Sequence, residues 1–418
     1  MSTNIDISNE INSPNYKKQT KLPCVHSLSS LIKNHTEQDM QKVIHSIKVG
    51  FALVLVSLLY LLDPLFEQVG ENAMWAIMTV VVVFEFFAGA TLSKGLLRGL
   101  GTILGGGLGC LAGIVADNFG KIGNAVVIGS SVFVLGATMT YCRLIPRIKK
   151  KCDYGFMIFI LTFNLVAVSG LRADKVIALA RERLSTIGMG FAVCVFTSLL
   201  IFPMWASDEL HRLTSSKFDK LACCIEDCMK AYFSVVNENE SMPRMNFGDC
   251  KTVLHSKSSD ESLANFARWE PWHGRFGLCY PWEKYIQIGE LMREMASIIM
   301  SMQACLESPL QPSTPLQHVI KEPCKNAGLS LGLTMRELGK SIMNMKPCQA
   351  KTVTVPKLQA IKLELIVLST SSKLKGAANV ESIAVANFLF LLMKIVDKVE
   401  VLAQEVDALG EVAGFQSK

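Results

Sequence analysis

The sequence predicts an all-α membrane protein in which six transmembrane helices are followed by a cytosolic helical domain. Three observations lead there. The chain of 418 residues is 50% hydrophobic and only 19% charged, and its mean hydropathy of +0.33 is high for a soluble protein of this size. Its apolar residues are concentrated between residues 47 and 205, with a polar stretch before them and ordinary mixed composition after. Within that block, apolar runs approach the roughly 20 residues with which a helix crosses about 30 Å of hydrocarbon. The expected division is a polar cytosolic tail at 1–45, a six-helix membrane domain at 46–205 and a cytosolic helical domain at 206–418.

The first run, IKVGFALVLVSLLYLL (47–62), follows a polar stretch with no basic n-region and no small-residue cleavage site, so it is expected to be an anchor and not a removed signal. The second, AMWAIMTVVVVFEFFAGATL (73–92), holds Glu85 inside it. An ionisable group at that depth usually faces a bundle interior and finds a partner, for which Lys94 and Arg98 are the candidates. The third, LLRGLGTILGGGLGCLAGIVA (96–116), repeats glycine every four residues at Gly101, Gly105, Gly109 and Gly113. That spacing lets helix backbones approach closely in lipid, either in ordinary packing or at a helix or subunit contact beside a conduction path. Three more runs follow: NAVVIGSSVFVLGATMTY (124–141), FMIFILTFNLVAVSGL (156–171) and LSTIGMGFAVCVFTSLLIFPMW (184–205).

Lysine and arginine in the short connections set the orientation. SKGLLRG carries Lys94 and Arg98, and CRLIPRIKKKCD carries Arg143, Arg147, Lys149, Lys150 and Lys151, whereas DPLFEQVGEN has no base and DNFGK only Lys121. Both termini are therefore expected in the cytosol. The last outer loop, RADKVIALARER, opposes this rule with Arg172, Lys175, Arg181 and Arg183. Two readings stand: an interfacial helix whose arginines meet lipid headgroups, or an electropositive vestibule that concentrates anions at a pore mouth.

Beyond residue 205 the pattern is helical. Ser207 is placed to cap a helix with Asp208 and Glu209 in its first turn, and Leu210, Leu213, Lys217, Leu221, Ile225 and Met229 then follow one mostly apolar face. Further helices are expected at 283–306, 356–374 and 379–409. The run SIAVANFLFLLMKIV (382–396) is too short and too soon interrupted by charge for a seventh span, so it is expected in a core. Segments 240–260 and 307–327, rich in Pro, Ser and Gly, read as loops. Trp269, Glu270, Pro271, Trp272, Trp282 and Tyr285 form an aromatic patch, either a docking turn of the soluble helices or a gating contact with the membrane block.

The 13 cysteines are scattered, mostly on the side expected to be cytosolic and reducing, so free thiols are expected. ACCIEDC lacks a second Cys or His pair to complete a tetrahedral metal site. The seven histidines show no HExxH spacing, and no nucleophile elbow or triad pattern occurs. No cofactor, no metal and no enzymatic activity are expected. The net charge of +6 comes without a nucleic-acid module and speaks to anions and lipid headgroups, not to nucleic acid.

The stretch WAIMTVVVVFEFFAGATLSKGLLRGLGTILGGGLG (75–109) resembles the signature block of the aluminium-activated malate transporter family of plants. PRIKKKCDYGFMIFILTFNLVAVSG, RLSTIGMGFAVCVFTSLLIFPMWASDELH and ESLANFARWEPWHGRFGLCYPWEKYIQIG are similar to further blocks of that family, in the same order, between about residues 42 and 300. The resemblance implies a passive channel for malate and other organic or inorganic anions. It also implies a homodimer in the lipid bilayer, expected in the plasma membrane over the vacuolar membrane. The basic residues that match the family's pattern, and so are expected to line the pore, are Lys94 and Arg98 at the inner mouth, Arg143, and Arg172 and Arg183 at the outer one. Glu85, Trp269 and Glu270 are expected to be structural or gating residues. Leu97 stands where the family pattern has asparagine, and the last outer loop is net basic, the opposite of the clustered carboxylates that would hold a trivalent cation. The alternatives are a proton-coupled organic-anion carrier using Glu85, and a non-conducting membrane-anchored regulatory protein.

Overall fold

Five helices of the first half carry apolar stretches of 18 residues or more, and one of these stretches, Ala88–Asp117, fills its helix from end to end. The computed structural model describes residues 24–61, 74–170, 176–233, 247–277, 280–307, 314–348, 353–370 and 380–415, and among these it forms thirteen helices and no strand. The expected tail up to residue 23, the first outer loop with Asp63, Glu67 and Glu71, and the loop around Arg172 lie outside the described residues.

The apolar half contains α1 (Cys24–Leu61), α2 (Met74–Val83), α3 (Ala88–Asp117), α4 (Gly120–Leu144), α5 (Pro146–Gly170) and α6 (Val176–Leu200). Long enough and apolar enough to cross a membrane are Asp39–Leu58, Ala88–Asp117, Ile122–Leu144, Ile148–Val168 and Arg183–Leu200. Their outward faces are apolar as well. On α4, Ile122 is 85% and Phe133 75% exposed, which suits hydrocarbon and not water.

The second expected span is corrected. Helix α2 stops at Val83 after 10 residues, about 15 Å of rise, and residues 84–87 are not helical. Residues 88–92 instead open α3, which runs unbroken through the third expected span. A side chain holds the break open: the Glu85 N–H donates to Thr91 Oγ1 at 3.0 Å, replacing a partner that the interrupted helix has lost. The Ala88 N–H donates to the Met204 carbonyl at 3.0 Å.

Three of the four spaced glycines form the seam between α3 and α5. A Cβ on Gly101 would stand 2.7 Å from the Gly155 carbonyl oxygen, on Gly105 2.6 Å from that of Phe159, and on Gly109 2.9 Å from Val166 Cβ. Gly113 meets nothing within 4 Å. The repeat is thus a contact within one chain, of the kind small residues make in lipid.

The second half comprises α7 (Ala206–Tyr232), α8 (Gly248–Leu254), α9 (Lys257–Ala267), α10 (Trp282–Glu307), α11 (Thr314–Asn344), α12 (Val355–Thr370) and α13 (Val380–Ala413). They share one core. Phe218, Leu221 and Ile225 of α7 meet Ile288, Met292 and Ile299 of α10, Leu331 and Met335 of α11, and Phe388 and Leu392 of α13. The spacings within each helix are those of a single apolar stripe. The SIAVANFLFLLMKIV run lies in that core, with Val385, Phe388, Leu389 and Ile395 fully buried.

Two expected loops are also corrected. Residues 248–254 and 257–267 are helices α8 and α9, which bury Cys250, Val253, Leu263 and Ala264. Helix α11 begins at Thr314 and keeps Pro323 inside it. Ile320, Cys324, Ala327 and Leu331 hold one buried face, and that packing outweighs the hydrogen bond a proline removes. Between α7, α9 and α10, the buried Lys217 ammonium donates to both oxygens of Asp260 at 2.5 and 2.6 Å, and Arg293 Nη1 reaches the same carboxylate at 3.2 Å. Burial, the largest influence, holds the Lys217 ammonium below its ordinary value, against the opposing pull of Asp260.

Candidate functional site

The break after Val83 brings Glu85 and Lys94 together. The Lys94 ammonium donates to Glu85 Oε1, and both side chains are about one-third exposed. Lys94 also lies 5.8 Å from the centre of the Tyr154 ring on α5. One turn further along α3, Arg98 Nη1 donates to the Tyr154 hydroxyl at 3.1 Å. Tyr154 thus stands between the two bases, with its face toward one and its oxygen toward the other. Arg98 is only 5% exposed and lies about 15 Å along α3 from Ala88, within the apolar stretch Ala88–Asp117.

On α6, the Arg183 guanidinium lies 4.2 Å from the Trp75 ring. Stacking on an aromatic face stabilises the cation without occupying its in-plane N–H donors. Arg98 and Arg183 then meet around one narrow cavity, together with Trp75, Thr102 and Thr162. Arg98 Nε, Arg183 Nε and Thr102 Oγ1 are buried and have no hydrogen-bond partner among the described residues. Neither arginine forms an ion pair with a described carboxylate. The cavity leaves about 20 Å³ of free space, room for a single water.

The five expected pore bases therefore separate. Arg98 and Arg183 share one cavity, a pairing that differs from the expected inner and outer groups. Lys94 lies one turn before Arg98 on α3, paired with Glu85. Arg143 is clamped to Asp153, its Nε 2.8 Å from Oδ1 and its Nη2 3.3 Å from Oδ2, so its charge is balanced where α4 ends and α5 begins. Arg172 falls outside the described residues.

A larger cavity of 700 Å³ lies beside Lys94, between α3, the first turns of α5 and the end of α9. Lys94, Lys149, Lys150, Lys151, Arg268 and Trp269 border it. Trp269 is half exposed here, beside the bundle.

Glu270 joins the two halves. Its carboxylate accepts the N–H of Ala206 at 2.6 Å and that of Ser207 at 3.2 Å, and so caps α7 from a distant part of the chain. The sequence expectation that Ser207 caps this helix is corrected: Trp205 holds the cap position without a side-chain bond, and the Ser207 hydroxyl faces His273 Nε2 at 2.9 Å. The Trp205 and His273 rings stack with centroids 3.8 Å apart. A Cβ on Gly89, in the first turn of α3, would collide with the Phe266 carbonyl at 2.1 Å and with Glu270 Cγ at 2.8 Å. Burial raises the Glu270 carboxyl above its ordinary range, although the α7 hydrogen bonds and His273 pull it down.

Residues 201–205 between α6 and α7 are not helical, and Phe202 has φ +44°. That conformation is strained for a bulky residue, all the more before a proline. Its carbonyl accepts a bond from the Lys48 ammonium of α1 at 3.2 Å, and Lys48 is only 1% exposed.

Sequence reasoning missed Trp75, Tyr154, Thr102 and Lys48. Trp75 and Tyr154 lie in the quoted signature segments; for Tyr154 an aromatic residue just after three lysines was the available signal, and Trp75, far from any base in sequence, had none. Lys48 had a signal too, a lone cation inside the first apolar run.

The chain matches the family described as aluminium activated malate transporter over residues 33–362. It is 41% identical over 388 residues to aluminum-activated malate transporter 13 of Arabidopsis thaliana, covering 90% of this chain and 72% of that one. It is 44% identical over 322 residues to aluminum-activated malate transporter 14 of the same plant, covering 76% and 59%. With aluminum-activated malate transporter 1 of Triticum aestivum it shares 36% over 401 residues, 91% and 84% of the two chains. The chain thus spans less than two thirds of some of these relatives.

Proposed function

This chain belongs to the aluminium-activated malate transporter family, a family of transporters and not enzymes, and is an integral membrane protein; from that premise we propose that it is a passive anion channel whose selective step is the cavity shared by Arg98 and Arg183. The observation that carries this reading is the pair of guanidiniums from two helices, neither matched by a described carboxylate, that line one cavity and each keep a buried, unpartnered Nε donor.

A dicarboxylate such as malate gives up hydration on entering apolar surroundings, and fixed positive charge offsets that loss. Two arginines, with their planar forks, suit carboxylates and stay charged. Thr102 adds a neutral donor. Arg98 is held by a tyrosine and Arg183 by a tryptophan face, so neither is discharged by a fixed anion, and the passing anion is the missing partner. Binding without full neutralisation lets the ion leave again. Lys94, balanced by Glu85, guards the inner side, and Arg172 the outer. With about 20 Å³ free the cavity is closed to malate, so conduction requires α3 and α6 to separate at this level.

The remaining features follow from the same reading. The membrane domain spans 46–205 and the cytosolic helical domain 206–418, with both termini in the cytosol and two copies in the plasma membrane. The basic residues where α4 ends and α5 begins, Arg143, Lys149, Lys150 and Lys151, support that orientation, whereas Lys94 and Arg98 lie within α3 and not in a connection. Glu270 and Trp269 form the joint through which the cytosolic domain gates the bundle.

A proton-coupled carrier is the second reading, favoured by one observation. An interrupted helix with a carboxylate at the break is the arrangement many carriers use at their coupling site. The deciding experiment is the reversal potential of the purified protein in liposomes under a malate gradient, repeated under an imposed pH gradient. Tracking of the anion gradient alone supports the channel. A potential that follows protons overturns it in favour of the carrier, and absence of current overturns both.

A further inference from the structure

The 700 Å³ cavity beside Lys94 is not explained by anion passage. It is far larger than the Arg98 and Arg183 cavity, and its walls are of two kinds. The basic part of the lining is three consecutive lysines, Lys149 to Lys151, from the first turns of α5, with Arg268 beyond α9, and its one carboxylate, Asp153, is held by Arg143. The apolar part is Leu97, Met157 and Phe266. Met157 is 41% exposed on a face of α5 that lies among the membrane-crossing residues, and Trp269, next to Arg268, is 44% exposed. The cavity therefore reaches the lipid-facing surface at Met157 and the second half at Trp269, with its lysines at the level where the apolar stretch of α5 begins.

The charges are also unevenly used. Lys94 is paired with Glu85, Lys150 with Glu261 at 2.6 Å, and Arg268 with Glu283 at 2.7 Å. Lys149 and Lys151 form no ion pair among the described residues. A compact ammonium on a flexible stem is a point charge suited to phosphate oxygens. Basic pockets beside membrane helices on the inner side, flanked by an interfacial tryptophan, fit an anionic lipid headgroup above its glycerol and chains.

We propose that this cavity binds a phosphomonoester-bearing anion, carried by the headgroup of an inner-leaflet phospholipid, with Lys149 and Lys151 on the phosphate and Leu97 and Met157 along the acyl chains. The site rests on the cytosolic placement of the α4–α5 connection in the reading above. It borders Lys94 and the Glu270 joint, so an occupying lipid lies against both.

The test is a fluorescence titration of the full-length, detergent-solubilised protein with short-chain phosphatidylinositol bisphosphate. Parallel arms use inositol trisphosphate, ATP and short-chain phosphatidylcholine. The lipid is expected to bind at least tenfold more tightly than the soluble phosphates, and phosphatidylcholine not to compete. Lys149→Ser with Lys151→Ser is expected to weaken lipid binding on the order of thirtyfold, about fivefold per lysine. The unliganded melting temperature is expected to change little, because Lys151 forms no ion pair and Lys149 only a longer-range attraction to Asp153, whose carboxylate is already held by Arg143. Equal affinity for lipid and soluble phosphates overturns the lipid source, and unchanged affinity in the double variant overturns the site. Malate flux from phosphatidylcholine vesicles, measured alongside, separates the two proposals: flux without lipid binding sinks this one alone.

Discussion

The Glu270 carboxylate accepts the Ala206 N–H at 2.6 Å across 64 positions of sequence, so the first helix of the second half is capped by a residue that also touches the first turn of α3. Glu270→Ala leaves two buried N–H groups without an acceptor. It is expected to destabilise the protein by about 1–2 kcal/mol and to alter channel opening. Thermal unfolding in detergent and single-channel open probability measure the two effects, and a variant with wild-type values in both would show that the joint is not there.

Glu270 also sets a pH dependence. Burial raises its folded value above the ordinary 4.5. The folded protein therefore holds this proton more tightly than the unfolded chain. Its contribution to stability is fully present below 4.5 and is lost as pH rises through the raised value. Glu270→Gln is expected to flatten that part of the stability profile. The check is the unfolding midpoint of both proteins across the mildly acidic range.

His211 acts with the opposite sign. It lies between the Tyr285 hydroxyl at 2.8 Å and the Met343 carbonyl at 3.3 Å, and burial lowers its folded value below 6.5. The unfolded chain takes the proton first, so stability is present above 6.5 and is lost as pH falls toward the lowered value. In His211→Gln the loss between pH 7 and 5 is expected to shrink. Denaturant midpoints at the two pH values decide it, and an equal loss in both proteins counts against the assignment.

The basic residues are expected to differ in effect. Arg98→Gln or Arg183→Gln removes a charge that faces the shared cavity and is expected to cut malate current at least tenfold, on the order of 1.4 kcal/mol in the barrier. Arg143→Gln removes one already matched by Asp153 and one-third exposed. It is expected to leave conductance within about twofold and to lower stability by about 0.5 kcal/mol. Liposome flux of the three variants tests the ranking, and equal losses in all three would contradict it.

The glycine seam makes its own distinction. Gly105→Val forces α3 away from the Phe159 carbonyl and is expected to abolish a folded, monodisperse protein. Gly113→Ala meets open space and is expected to be neutral, or stabilising by up to about 1 kcal/mol. Size-exclusion profiles of both variants check this.

Much of the fold was legible because apolar periodicity carries it. The membrane-length runs, the α7 stripe from Leu210 to Met229 and the core helix around Phe388 follow directly from spacing. What escaped was decided by contacts between distant residues. The break at 84–87 contains no Pro or Gly to announce it and depends on the Thr91 hydroxyl and the Met204 carbonyl. Helix α11 was hidden by Pro323, a residue that ends most helices and here is outweighed by one buried face. Of the candidate site, the basic residues could be named, and Lys94 as a partner for Glu85, but not the company of the others. That Arg143 is spoken for by Asp153 while Arg98 and Arg183 meet over one cavity is a fact of packing, invisible in linear order.

Residues 201–205 have a mechanical consequence. This strip ends the last apolar helix and begins the first one of the second half. Lys48 grips it from α1, the Ala88 N–H grips it from α3, and Glu270 grips it just beyond from the second half. It works as a knuckle shared by three limbs. A tilt of α7 by a few degrees pulls on the Met204 carbonyl, and through Ala88 on the rod whose third turn carries Arg98. A load on the helices of the second half is thus expected to reach that guanidinium through backbone contacts alone.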